Sequence, residues 1–176
     1  MTAQRQIFLH GPLGQRHLKE ILSAQMAGLF LRPERIWLVS PWISDFPVLD
    51  NRTGDWDTLE PSWGNREICF LELLASAVNN GCPLRLVTQN DGKSLSFINQ
   101  LQNRLLSCAD YKYLASDTLH TKGLLTRHFF LRGSMNYTYH GARLNDEVLE
   151  LTNDGTMISE ALLEFENRYQ FEGYNE

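Results

Sequence analysis

The sequence predicts an α/β fold in which helices cover both faces of a mixed β-sheet. Short apolar runs bounded by Pro, Gly and Asn alternate with longer segments whose apolar residues recur at helical spacing. The 176 residues, of which 43% are hydrophobic, are enough for one domain with a buried core. No internal repeat or low-complexity segment divides the chain. We therefore expect a single domain over residues 1–176.

The N-terminal half predicts two helices and two buried strands. In the first helix the apolar residues from Leu18 to Phe30 keep helical spacing, and Pro33 ends it. Pro41 stops the first strand, and Gly81 lies just beyond the second helix, where glycine is common. A stretch rich in Asp, Pro, Gly and Trp predicts a long loop. In order, the predicted elements are a helix over 15–30, a strand over 35–40, the loop over 43–65, a helix over 67–79 and a strand over 83–88.

The C-terminal half predicts a hairpin and a further strand between two helices. Asn90-Asp-Gly-Lys is typical of a turn, and Thr126-Arg127-His128 is the predicted hairpin loop. The predicted elements are the turn over 90–93, a helix over 94–106, an edge strand over 111–114, hairpin strands over 119–125 and 129–132, a strand over 147–152 and a helix over 158–169. This order of strands and helices favours a layered α/β domain.

Charge, cysteine content and hydropathy exclude several classes of protein. The net charge of −5 argues against a surface that grips nucleic acid everywhere, but it leaves room for a local basic pocket. Cys69, Cys82 and Cys108 are too widely and irregularly spaced for a metal site or a disulfide framework. No apolar run approaches the roughly eighteen residues that cross a bilayer, and the N-terminus lacks a signal-peptide pattern. We expect a cytoplasmic protein that has no membrane partner, no metal and no cofactor.

Four polar residues repeat one spacing around the hairpin. His120 and Lys122 are two positions apart, as are Ser134 and Asn136, and such pairs share a face of a strand. If the three-residue loop puts Leu125 opposite Phe129, then His120 lies opposite Ser134 and the four side chains converge. A two-residue loop would shift this register by one and separate them.

These residue types suit phosphoryl transfer. A neutral imidazole at His120 can attack phosphorus and divide one hard step into two easier ones. Lys122 and Asn136 can stabilise the charge that develops on the other phosphate oxygens. Glu147 is the candidate carboxylate that holds the second imidazole nitrogen. For Ser134, capping of a local turn and contact with substrate are equally supported alternatives.

The sequence around these residues resembles a known signature. His120-Thr-Lys122, Gly133-Ser-Met-Asn136 and Asn145-Asp-Glu147 are similar, in order and type, to the motifs of the phospholipase D superfamily. Ser40-Pro-Trp42 resembles the end of that family's first strand, so the likeness covers residues 35–152. It implies a phospholipase D-like half-domain and a phosphohistidine intermediate formed without a metal. It also implies that Ser40, Trp42 and Ser134 bind substrate.

The resemblance has one departure and one consequence. The family's Asp would fall where this chain has Arg127, and the segment before Gly133 is one residue shorter than usual. The single copy of the motif resembles the family's small dimeric nucleases, which implies a C2 homodimer with its interface beside the site. Small members also include DpdK-type proteins of DNA-modification or phage-defence clusters, whose partner proteins this chain could share.

We therefore predict a metal-independent nuclease that acts on DNA more readily than on RNA. An alternative is a catalytically weak or inactive binding subunit of a DNA-processing or phage-defence complex. Arg127, the acidic pI and the long Trp-bearing loop are the reasons for it. Hydrolysis of a lipid phosphodiester is a third hypothesis, weakened by the lack of a basic amphipathic helix. Asp91-Gly-Lys93 superficially matches the core of metal-dependent nucleases, but it is a stronger turn signal. Trp42, Trp56 and Trp63 either stack on bases or pin the long loop to the core.

Overall fold

The structure is a computed structural model that describes residues 4–171. Its strands are β1 (Gln4–Leu9), β2 (Ile36–Val39), β3 (Pro47–Asp50), β4 (Glu67–Cys69), β5 (Leu84–Thr88), β6 (Tyr111–Ala115), β7 (Gly123–Leu125), β8 (Phe130–Gly133) and β9 (Glu147–Thr152). Its helices are α1 (Gly11–Leu31), α2 (Phe70–Asn79), α3 (Gly92–Gln102), α4 (Tyr139–Arg143) and α5 (Gly155–Arg168), with a 3-10 turn at Pro61–Trp63.

Seven strands form one mixed sheet in the order β1-β9-β8-β7-β2-β5-β6. The pairs β2–β5 and β5–β6 are parallel, and the other four pairs of this sheet are antiparallel. Strands β3 and β4 form a separate two-stranded sheet. The predicted mixed sheet is confirmed, and β6 lies at its edge as expected.

Helices cover both faces of this sheet, because side chains of the central strand β2 alternate between two cores. Ile36 and Leu38 belong to the larger core, which includes buried residues of α1, α2 and α3. Trp37 and Val39 belong to the smaller core, where Phe165 of α5 packs. All four β2 residues are therefore buried, which explains why the sequence shows an unbroken apolar run.

The segment over 43–65 is more ordered than the predicted long loop. It contains β3 and the 3-10 turn, and the buried side chain of Asn51 organises the rest. Asn51 Nδ2 donates to Asp57 Oδ1 at 2.8 Å and to the Gly64 carbonyl at 2.9 Å, while Asn51 Oδ1 accepts from Trp56 N. Trp63 is buried against Phe30. The buried amide of Asn51 thus orders a segment that has few hydrogen bonds of regular secondary structure.

Two of the differences between the predicted and observed element boundaries have clear local causes. Residues 67–69 form β4 rather than the start of a helix, because Ile68 pairs with Leu49 across the small sheet. The predicted turn over 90–93 is the start of α3, because Asp91 Oδ1 accepts from the backbone N–H groups of Lys93 and Ser94. An aspartate that caps a helix satisfies the same local signal as a turn.

The predicted register of the hairpin is also wrong, by one residue. Leu125 pairs with Phe130, and Thr126 N donates to the Phe129 carbonyl at 2.9 Å, so only two residues form the tip. Thr126 Oγ1 accepts from His128 N, which stabilises this tighter turn. Strand β7 begins after Lys122 and β8 ends before Ser134, so strand pairing alone does not bring the four motif residues together.

No helix within residues 4–171 is long and apolar enough to span a bilayer.

Candidate active site

The strand directions bring every motif segment to the same end of the strands in the large sheet. This end is here called the motif edge. Strand β2 ends there, because Val39 pairs with Gly123 at the start of β7. Strand β8 ends there and β9 begins there, because Gly133 pairs with Leu149. The motif edge carries Ser40 and Trp42 after β2, His120 and Lys122 before β7, Ser134 and Asn136 after β8, and Glu147 at the start of β9.

Ser40 joins two of these segments. Its Oγ donates to the Trp42 carbonyl at 2.8 Å and accepts from Tyr137 N at 3.1 Å, and the side chain is fully buried. An isolated parallel bridge between Ile43 and Tyr137 continues the same contact. Ser40 therefore holds the segment after β2 against the segment after β8, and it offers no surface to a substrate in this structure.

Ser134, Asn145 and Glu147 form one hydrogen-bond network. The Ser134 hydroxyl contacts Glu147 Oε2 and accepts from Val148 N at 3.0 Å. Asn145 Nδ2 donates to the other carboxylate oxygen of Glu147 at 3.2 Å. Both carboxylate oxygens thus have partners other than His120, and no hydrogen bond between His120 and Glu147 occurs among the described residues. Glu147 orients the segment around Ser134 and Asn145.

His120 and Lys122 are linked through the backbone. The Lys122 ammonium donates to the His120 carbonyl at 2.8 Å, and the His120 side chain is exposed. Gln89 Nε2, from the segment after β5, donates to the Leu119 carbonyl at 2.9 Å. The neighbouring segment therefore anchors the backbone next to His120, while the imidazole remains accessible.

Some of the motif residues line two different cavities, whereas His120, Ser134 and Glu147 are in the walls of neither. One, here called the Trp42 cavity, has a volume of about 430 Å³ and includes Trp42, Asp91, Lys93, Asn136, His140 and Asn145 in its walls. The other has about 480 Å³, lies over β8 and β9, and includes Lys122 with the Arg132–Glu150 ion pair. Asn136 and Trp42 are thus brought together, whereas Lys122 lines a separate surface.

Several residues in the walls of the Trp42 cavity were not predicted as site residues from the sequence. The sequence indicates a turn at Asp91 and Lys93, and none of the motifs includes His140. The signal for Asp91 was its position one residue before a helix, which places a capping aspartate in the segment between β5 and α3. His140 carried no such signal, because the short helix α4 has no clear apolar period.

Arg127 lies at the other end of the hairpin. It is exposed in the two-residue tip and lines a cavity of about 760 Å³ together with Pro33, Pro83 and Glu166. Pro33 and Pro83 precede β2 and β5, so this cavity is at the sheet edge opposite to the motif edge. The residue that departs from the resembling signature is therefore remote from His120.

Comparison with known proteins identifies the family. The family model for the cardiolipin synthase, PLD-like domain matches residues 58–169, which is more than half of the chain and includes His120, Asn136 and Glu147. The chain belongs to the PLD-like domain family. No curated protein sequence matches it closely enough to add a relative at the level of sequence.

Solved structures share this PLD-like fold. NucT from Helicobacter pylori is 17% identical with a TM-score of 0.61, and the match covers 95% of each chain. Nuc from Salmonella typhimurium, a phospholipase D family member, is 12% identical with a TM-score of 0.62, covering 96% of this chain and 94% of that one. Polyphosphate kinase from Porphyromonas gingivalis is 10% identical with a TM-score of 0.60, covering 96% of this chain and 27% of that one. At these identities the likeness establishes the fold.

Proposed function

We propose that this protein is a metal-independent nuclease that cleaves phosphodiester bonds through a phosphohistidine at His120. The observation that carries the proposal is the motif edge, where four separate segments of a PLD-like chain lie at the same side of one sheet. The general activity of a phosphodiesterase or nuclease also fits the solved neighbours, of which Nuc is described as a phospholipase D family member.

The proposed reaction has two steps with His120 as the nucleophile. A neutral imidazole nitrogen attacks phosphorus, the bond to the leaving oxygen breaks, and that oxygen takes up a proton from a general acid. Water then attacks the phosphohistidine, gives its proton to the same group, and the N–P bond breaks. Each step inverts at phosphorus, and the two steps together consume one water molecule, so the reaction needs no redox partner.

The other motif residues have supporting roles in this proposal. Lys122 supplies positive charge, and Asn136 supplies an amide donor for the phosphate oxygens. Ser134, whose hydroxyl is exposed and already held by Glu147, is suited to a further substrate contact. Lys122 and Asn136 line separate cavities in the free chain, and catalytic contacts are often loose before substrate binds.

The general acid comes, in our proposal, from a second copy of the chain in a C2 homodimer. One motif copy supplies one motif histidine, whereas the two steps need a nucleophile and a proton donor. Phe8 and Val148 form a cross-strand pair beside Glu147 and are 53% and 43% exposed, respectively. Exposed apolar side chains next to the site support an interface there.

The position of Arg127 weighs against the binding-subunit alternative. That alternative was motivated by the substitution of the family Asp, but Arg127 lies at the opposite sheet edge from His120. Its charge therefore replaces no group at the motif edge. A preference for DNA over RNA, a cytoplasmic location and a role in a DNA-modification or phage-defence system, including the DpdK type, remain parts of the proposal that need their own tests.

Cleavage assays test the proposed function. Labelled single- and double-stranded DNA and RNA are incubated with the full chain in excess EDTA, as wild type, His120→Ala and His128→Ala. We expect wild type and His128→Ala to cleave alike, and His120→Ala to be slower by about a thousandfold or more. His128 is the matched control because it is an exposed histidine in the hairpin tip.

Two results would contradict the proposal. Equal cleavage by wild type and His120→Ala would assign the activity to another site or to a contaminant. No cleavage by any variant, together with binding of nucleic acid, would favour the binding subunit. The same preparations, run in an analytical ultracentrifuge, test the dimer: an active enzyme that sediments as a monomer at assay concentration would refute it.

A further inference from the structure

We propose that the Trp42 cavity is a nucleobase subsite that prefers guanine. This inference rests on the proposed function, because it names the part of the nucleic acid that lies beside the reacting phosphate. The cavity is next to the motif edge, shares Asn136 with it, and at about 430 Å³ is large enough for one nucleoside.

Trp42 provides a rigid aromatic surface at this cavity. Its side chain is 49% exposed, whereas its backbone is held on both sides. The Trp42 carbonyl accepts from Ser40 Oγ, and the next residue, Ile43, donates its N–H to Ser94 Oγ at 3.2 Å. An exposed ring on a fixed backbone is suited to stacking on a base, because little further freedom is lost on binding.

Two walls of the cavity carry oxygen acceptors that lack a donor. Asp91 Oδ1 is occupied by the cap of α3, but Asp91 Oδ2 is buried and has no hydrogen-bond partner among residues 4–171. Asn136 Oδ1 is buried and lacks a partner in the same way. A buried acceptor without a donor destabilises the free protein, and a ligand that supplies the donor removes this cost.

Guanine is the base whose chemistry matches these acceptors. Its Watson–Crick edge presents a ring N–H beside an exocyclic amino group, which gives two adjacent donors. Adenine and cytosine present one amino group next to a ring acceptor, and that acceptor would face the Asp91 carboxylate unfavourably. Lys93, in the same wall, has no ion pair within the described part of the chain and is free to contact the guanine carbonyl or a phosphate.

Nucleotide binding to the full chain tests this subsite without requiring turnover. GMP, AMP, CMP and UMP are titrated by calorimetry and by tryptophan fluorescence. Of the four tryptophans, Trp37 and Trp63 are buried and Trp56 is half-buried, so quenching reports mainly on Trp42. We expect GMP to quench fluorescence and to bind about tenfold more tightly than the other three nucleotides.

Asp91→Asn is the decisive variant, because asparagine also caps a helix but turns one acceptor into a donor. Its matched control is Asp154→Asn, since Asp154 caps α5 in the same way through Met157 N. We expect Asp91→Asn to lose the preference for GMP about tenfold, while Asp154→Asn keeps wild-type affinities. Trp42→Leu should weaken the binding of all four nucleotides. Calorimetry measures this loss, because it does not depend on the fluorescence of Trp42.

Each outcome separates this inference from the proposed function. Equal affinities for the four nucleotides, no binding of any of them, or identical behaviour of Asp91→Asn and Asp154→Asn would overturn the guanine subsite. EDTA-resistant cleavage by wild type alongside such a result would leave the proposed function standing. Selective GMP binding by a chain that cleaves no substrate would instead support the subsite and refute the proposed nuclease activity.

Discussion

Gly133 is the residue whose backbone most directly shapes the motif edge. Its φ of +154° and its close approach to β9 leave no space for a side chain, since a Cβ there would collide with the carbonyl of Val148. That same carbonyl accepts from Ser134 N at 3.0 Å. Gly133 thus allows β8 and β9 to approach closely enough to hold Ser134 beside Glu147.

Gly133→Ala should therefore lower both stability and activity. The strained backbone and the displaced strand should reduce the free energy of unfolding by about 1–3 kcal/mol, measured by urea denaturation. Gly155→Ala is the control, because a Cβ at Gly155 meets nothing within 4 Å and the residue lies in the first turn of α5. Equal stability of the two variants would show that Gly133 does not limit the approach of the strands.

The types of the site residues were predictable from the sequence, but their contacts were not. His120, Lys122 and Asn136 follow from the motif, whereas the burial of Ser40 depends on Tyr137, which lies 97 positions away. The Glu147 carboxylate contacts Ser134 rather than His120, because β9 pairs with β8 and holds these two side chains together. Such contacts depend on tertiary packing that no local pattern encodes.

At the scale of elements, strands with strong apolar patterns were predicted well. The predicted bounds of β9 are confirmed at 147–152, and those of β5 differ by one residue. The predicted register of β7 and β8 was wrong because the side chain of Thr126 closes a two-residue tip. The sequence does not distinguish this tip from a three-residue loop. Strand β4 was not predicted because its three residues continue directly into α2.

Strand β6, at the edge of the sheet, is preceded by an ion pair with β5. Arg85 Nη1 of β5 donates to Asp110 Oδ1 at 2.7 Å, and this hydrogen bond holds the pKa of the Asp110 carboxyl below its usual value of 3.8. Because the pKa is lower in the folded chain, the stabilisation is present above pH 3.8 and is lost as the pH falls through the folded value.

Asp110→Asn should accordingly reduce stability at neutral pH by about 1 kcal/mol or less, because Asp110 is half exposed. The difference from wild type should be smaller at about pH 2 than at neutral pH, because Asp110 loses its charge as the pH falls through its lowered pKa. Urea denaturation at the two pH values measures it, with Asp117→Asn as a control because Asp117 is exposed and has no ion pair among the described residues. A difference that is independent of pH would contradict the role of the charge.

In the whole molecule, the two ends of the strands in the large sheet carry different sets of residues. The motif edge carries His120, Asn136 and Glu147, and the opposite edge carries the hairpin tip with Arg127. The sequence predicted this sheet with helices on both faces, since alternating strands and helices permit few other arrangements. It did not predict that Lys122 and Asn136 line separate cavities, because this depends on the path of the backbone beyond the ends of β7 and β8.

The most direct test of the account is to trap the intermediate on His120. Wild type and His120→Ala are mixed with a labelled oligonucleotide in excess EDTA, quenched in alkali, where phosphohistidine survives, and digested for mass spectrometry. We expect a nucleotidyl adduct, joined to His120 through phosphorus, in wild type and none in His120→Ala. Turnover by wild type with the adduct on another residue, or with no adduct on any residue under conditions that hold back hydrolysis, would contradict the histidine mechanism.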